Sequence, residues 1–257
     1  MWCHWVVSLA RLPPVIGPFD LDVSALLIGH GSPDPRHATT LQRLNDQVAA
    51  TIGRCEIAYL EHNQPLLSEW LEQRGADHAP EAHESEIRAI GLLLASGYHA
   101  QVDIPRTLAA ASSVPRVTNL GTLGAGAWIV PVLQRRIADA GGATRSTVVL
   151  VAAGSSQDQA RADLRATCAL LQDHRGGSVL PAAVTGPDPR PEQVTAELPS
   201  GASDVVLVPL MLAPGSLADR VAAVADMAGL RHTPTLATAS ETPPELVHHL
   251  AARFTEH

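Results

Sequence analysis

Short apolar runs alternate with longer amphipathic stretches along most of the chain. Residues 23–28 form an apolar run that ends in Gly29. Its length and its flanking turn residues predict a buried parallel strand. Ser32-Pro33-Asp34-Pro35 then supplies a polar cap followed by an early proline, a helix-start signal. The helix is expected to reach Ile52, with Leu41, Leu44, Val48 and Ile52 on one face. A short strand is expected at 55–60, and Pro65 opens a helix to about Gln73. The polar stretch 75–85 reads as a loop. A third strand at 87–94 is closed by Gly97, a helical stretch occupies 103–111, and a fourth strand falls at 114–120. A helix over 125–140 turns Ile129, Val132, Leu133 and Ile137 inward, and Gly141-Gly142 stops it.

The scheme then repeats. Strands are expected at 147–152, 179–184, 204–210 and near 235–239, and helices at 157–172, near 190–198, at 217–227 and at 244–254. Alternating strand–helix units of this kind predict an α/β fold, with a parallel sheet covered by helices on both faces. The sequence itself also reads twice. SALLIGHGSPD at 24–34 returns as VVLVAAGSSQD at 148–158, and LLLASGYH at 92–99 returns as LMLAPGSL at 210–217. Setting Ser32 against Ser156 puts His30 opposite Gly154, and setting Gly97 against Gly215 puts His99 opposite Leu217. The expected organisation is an N-terminal extension over 1–20, a first half over 21–142 that keeps its histidines, and a second half over 143–257 that lacks them. Gly141-Gly142 is the expected linker.

Three regions of an α/β sheet matter for chemistry, because ligands bind beyond the carboxyl ends of its strands. His30 follows the first strand, Glu61 the second, and His99 comes shortly after the third. Two imidazoles and a carboxylate from separate segments thus reach one sheet edge. Such a set suits a borderline divalent ion with positions left open, and imidazole is a base that works near neutral pH. Gly29, Gly31 and Gly97 beside them let a bulky ligand approach the backbone. Taken singly, each residue reads as an ordinary loop or helix-start residue, and their common placement is what points to a site. Ser32 reads as a helix cap, since no G-x-S-x-G nucleophile turn is present. GTLGAG at 121–126 does not match a dinucleotide-binding turn. His62, His78, His83, His248 and His249 read as solvated, the last two as an adventitious metal pair.

Composition narrows the partners. The net charge of −8, with no run of Lys or Arg, argues against nucleic acid. No stretch is long and apolar enough to span a membrane. The opening residues lack a basic start and a cleavage site, so no signal peptide is read. Cys3, Cys55 and Cys168 are far apart and form no paired framework, so they are expected as unpaired thiols in the cytoplasm.

ALLIGHGSPDPR (25–36), AYLEHNQPLL (58–67) and LLLASGYHAQVDIP (92–105), in that order, resemble the class II chelatases of the sirohydrochlorin type in their long, two-half form. The resemblance implies two chelatase-like halves with a cleft between them for a flat tetrapyrrole. It implies insertion of ferrous ion into sirohydrochlorin for siroheme, with cobalt insertion for cobalamin, or non-catalytic carriage, as alternatives. His30 and His99 become the metal-binding and catalytic histidines, and Glu61 completes the site. Ser32, Gly97, Arg36 and Arg106 fall where the substrate would lie, the two arginines as partners for its carboxylates. No permanent organic cofactor is implied, because the metal (Fe2+ or Co2+) is itself a substrate. The expected partner is the tetrapyrrole, and a monomer is expected.

Overall fold

The computed structural model describes residues 23–77, 86–110, 117–199 and 204–255. The extension over 1–20, Cys3, His78, His83, most of the loop at 75–85 and the start of the strand expected from 114 lie outside the described residues. The first half runs β1 (Val23–Gly29), α1 (Pro35–Ile52), β2 (Cys55–Tyr59), α2 (Leu67–Asp77), β3 (Glu86–Gly91), a π-helical turn (His99–Asp103), α3 (Ile104–Ala110), β4 (Val117–Thr122) and α4 (Ile129–Asp139). The second runs β5 (Thr147–Ala152), α5 (Asp158–Asp173), β6 (Val179–Ala183), α6 (Pro191–Ala196), β7 (Val205–Leu210), α7 (Ser216–Met227), β8 (Arg231–His232) and α8 (Pro244–Thr255). Each half is a parallel four-stranded sheet, in the orders β2-β1-β3-β4 and β6-β5-β7-β8. The central strands are covered on both faces, which explains their near-continuous apolar runs.

Local chemistry sets the boundaries. Asp34 caps α1 by accepting from the Arg36 N–H, with Pro35 at the first helical position. Ser32, the expected cap, instead accepts from the Asp34 N–H at 3.2 Å. α4 stops where Gly141 turns left-handed (φ 78°) and the Gly142 N–H returns to the Ile137 carbonyl at 2.8 Å. No strand forms at 235–239; the edge strand of this sheet is instead β8, just before it. The segment after β8 still runs beside the extension of β7, with Leu236 and Ala237 donating to the Met211 and Leu212 carbonyls. Pro234 has no N–H to give, and it interrupts the ladder.

The helices do not stay with their own sheets. α8 comes from the end of the chain, yet its Leu246, Leu250 and Phe254 complete the core around Leu41, Leu44 and Val48 of α1. α4 comes from the first half, yet its Ile129, Leu133 and Ile137 pack with Leu164 and Leu171 of α5 and with Val206 and Val208 of β7. Polar clasps reinforce the exchange. Arg88 donates to the Phe254 carbonyl at 2.7 Å, and Arg253 donates to the carbonyls of Leu120 and Thr122. The two exchanged helices also meet through Arg135 and Glu245, at 2.8 and 3.1 Å. Gly142 therefore separates the two sheets, whereas the cores cross it.

Candidate functional site

The site is assembled from loops at the carboxyl ends of β1, β2 and β3. Gly31 holds a left-handed backbone, φ 95°, and a Cβ there would collide with the Glu61 carbonyl. Only glycine lets the β1 loop press this closely on the β2 loop. The Glu61 N–H donates to the His30 carbonyl at 3.0 Å, and the Ser32 N–H to Asn63 Oδ1 at 2.8 Å. The segments carrying His30 and Glu61 are thus zipped together. His99 arrives separately, as the first residue of the π-helical turn. That turn brings Asp103 Oδ2 to 2.7 Å from His99 Nδ1. π-turns are rare and are common at functional sites.

The two imidazoles meet. Their Nε2 atoms lie 3.1 Å apart, and the rings stand edge-on, with centroids 4.5 Å apart at 84°. His30 Nδ1 faces the Gly31 carbonyl at 3.0 Å, and His99 Nδ1 faces Asp103. In the neutral tautomer each Nδ1 then carries the proton and each Nε2 the lone pair. Two lone-pair nitrogens this close are placed to share one cation between them. Glu61 Oε1 lies 3.3 Å from His30 Nε2 and 3.3 Å from His62 Nε2. The carboxylate thus touches His30, and no contact joins it to His99. Among the described residues, no group of three His, Cys, Asp or Glu side chains is arranged to hold an ion at once. The set is an open pair of imidazoles with a carboxylate alongside.

His30, His62 and His99 line one wall of a cavity of about 680 Å³, which both halves enclose and which is within the range of small-molecule sites, whereas Glu61 stands behind that wall. The facing wall shows what became of the second copy. The Val184 and Thr185 N–H groups donate to Ala152 and Ala153, just as Leu60 and Glu61 donate to Gly29 and His30. Gly154 repeats the positive φ of Gly31, and a Cβ there would meet the Thr185 carbonyl. His30 therefore corresponds to Ala153, one residue from the Gly154 that the sequence repeat pairs with it, and Ser32 corresponds to Ser155. Glu61 corresponds to Thr185. The pairing of His99 with Leu217 holds, because β3 and β7 keep the same register against their central strands.

Ser32 and Gly97 line the cavity, but Arg36 and Arg106 are absent from its wall. Arg36 forks between Asp34 and Asp219 of α7, its Nη2 within 2.5 Å of each, and so ties the rims of the two halves. Its guanidinium holds the Asp34 carboxyl below the usual carboxylate range. Arg106 is 72% exposed and reaches Asp103 Oδ1 at 3.4 Å. Sequence reasoning passed over three cavity residues, His62, His37 and Arg161, and over Asp103 behind His99. Asp103 signals itself only by standing four residues after His99. His62, expected in solvent, shares the carboxylate of Glu61. His37 lines the cavity with Nε2 buried and unpartnered, and burial pushes its pKa down, so the ring is neutral at neutral pH. Arg161 also lines the cavity, held by the buried carboxylate of Asp188. His249, also expected in solvent, stacks on Trp128 at 5.5 Å.

The CbiX family model matches residues 24–140 and again 147–256, one match per half. The chain is similar to the solved structure of SirB from Bacillus subtilis with Fe3+, at 22% identity and TM-score 0.74, over 90% of this chain and 93% of that one. It is equally similar to the sirohydrochlorin chelatase SirB from Bacillus subtilis subspecies spizizenii in complex with cobalt, at 21% identity and TM-score 0.74, over 91% and 95% of the two chains. CbiX described as the terminal enzyme of siroheme biosynthesis in denitrifying bacteria follows at 18% identity and TM-score 0.63, over 90% and 97%. No curated protein sequence matches the chain. At these identities the solved structures share its fold. Among the described residues, no helix is long and apolar enough to cross a membrane.

Proposed function

The chain belongs to the CbiX family, and on that premise we propose that it is a chelatase that inserts a divalent metal ion into sirohydrochlorin. One observation carries the reading: two Nε2 atoms 3.1 Å apart on a cavity wall, each ring oriented from behind by an oxygen on Nδ1. That pair offers an arriving ion two borderline nitrogen ligands, and its remaining positions stay with water. A closed shell would trap the ion, whereas an open pair can release it to four ring nitrogens. Insertion also removes two pyrrole protons. A neutral imidazole that has surrendered its ion can accept one, and Glu61 beside His30 can take the other. Asp103 keeps His99 in the tautomer this role needs. The macrocycle enters between the halves, with Ser32 and Gly97 on its near side and Leu212 and Ala213 among the apolar groups opposite. Arg36 and Arg106 already hold carboxylates of the chain, so the proposal gives them no substrate contact.

Ferrous iron is the proposed metal, for siroheme. Cobalt is the second reading, favoured by the cobalt complex of the similar SirB. The proposed setting is the reducing cytoplasm, where Cys55 and Cys168 persist as free thiols. The test offers Fe2+ and Co2+ anaerobically to the purified protein with sirohydrochlorin and follows the macrocycle's absorption. Metal-dependent spectral conversion that is lost in His30→Ala is the expected result. Tight binding of metal or macrocycle with no conversion would make the protein a carrier, and no binding of either would overturn the reading.

A further inference from the structure

His62 is the single non-glycine residue with a positive φ among the described residues, at 63°. Histidine tolerates this left-handed backbone better than most residues, yet such conformations concentrate where function holds them. Here the conformation sets the ring on the cavity wall, with Nε2 3.3 Å from Glu61 Oε1. The same oxygen lies 3.3 Å from His30 Nε2, which lies 3.1 Å from His99 Nε2. Four donor groups thus form a file, His62–Glu61–His30–His99. Each neighbouring pair is close enough for both atoms to contact one ion at about 2.0–2.2 Å. No three of these side chains are arranged to hold an ion together, so an ion is gripped by two at a time. The ends of the file differ. His99 is anchored by Asp103, whereas among the described residues Glu61 is the ionic partner of the His62 ring, which is 45% exposed.

Resting on the chelatase reading above, we propose that His62 is an entry ligand for a divalent first-row transition ion. His62 Nε2 and Glu61 Oε1 take the ion first. The His62 bond then breaks as a His30 bond forms, Glu61 Oε1 stays bonded through the exchange, and water fills the other positions. The ion finally rests between His30 and His99.

The full-length protein without macrocycle is mixed with Co2+ in a stopped-flow absorbance experiment, and the metal KM and kcat are measured separately. His62→Asn and His62→Gly both suit a left-handed backbone. Each should slow Co2+ association about tenfold and raise the metal KM by a similar factor, with kcat at saturating metal and the macrocycle KM near wild type. His30→Ala should lose stable Co2+ binding. If His30→Ala binds Co2+ as the wild type does, the chelatase site itself is wrong. If His30→Ala fails while both His62 variants associate at the wild-type rate, the entry ligand is overturned. A lower kcat with an unchanged metal KM also overturns it, because His62 would then act only by positioning Glu61.

Discussion

The two halves share strand order, crossover connections and a left-handed glycine at the same turn, and they differ in what hangs from that frame. His30, Glu61 and His99 in the first half correspond to Ala153, Thr185 and Leu217 in the second. Four residues after Leu217 stands Val221, fully buried, where His99 has Asp103. The π-helical turn is also confined to the first half, because α7 runs as regular α-helix from Ser216. The frame is held by strand pairing and apolar cores. The proposed site residues sit at the sheet edge, outside those cores, so one copy can lose them with little folding penalty. On the proposed reading the duplicated scaffold specialises, one wall for the metal and the other for enclosure.

The sharpest way to break this asymmetry is to erase the working side. His30→Ala or His99→Ala should abolish metal insertion, while Leu217→Ala leaves it near wild type. The histidine variants should cost about 1 kcal/mol of stability or less, since both rings are partly exposed at the cavity edge. Activity assays with chemical denaturation check both statements, and full activity in both histidine variants would remove the site assignment.

A second test asks whether the halves are energetically separate. Phe254 is fully buried against α1 although it belongs to the last helix. Phe254→Ala should cost about 3–5 kcal/mol. Hydrogen exchange should show protection falling in β1, β2 and α1, far from the substitution in sequence. Loss confined to β5–β7 would mean that α8 does not support the first core.

Asp103→Asn should weaken metal affinity about 10- to 100-fold with the thermal midpoint little changed, because it loosens His99 without emptying the core. Metal titration beside a melting curve reads this. The smallest effect is expected at Arg36. Arg36→Gln should leave the macrocycle KM unchanged, since the guanidinium serves Asp34 and Asp219. A KM rise of tenfold would mean that it leaves Asp219 for the substrate.

The sheets and most helices are legible in the chain because buried parallel strands are short and apolar and helices carry one apolar face. His30 and Glu61 are legible because each stands within two residues of a strand end, and His99 because it comes two residues after the Gly97 turn that follows β3. The one-residue slip at His30 has a physical source. Ser155 and Ser156 are alike as letters, and only the positive φ of Gly154 and its press against Thr185 fix the register. Helix exchange is not legible, because an apolar face states that a helix is covered and not which sheet covers it. Arg36 and Arg106 read as free cations in sequence, since Asp219 is remote along the chain and Asp103 gives no sign of its orientation. His62 reads as solvated until the bend of its backbone is known.

The crossed placement of α4 and α8 limits how the molecule can move. Swinging one half away from the other would tear an apolar helix out of a packed interior, a motion far costlier than turning side chains at a rim. A hinge between the halves is thus locked by the chain's own crossed arms. On the proposed reading a flat guest would enter without the halves swinging apart, and rim contacts such as the Arg36 fork are left to adjust the fit.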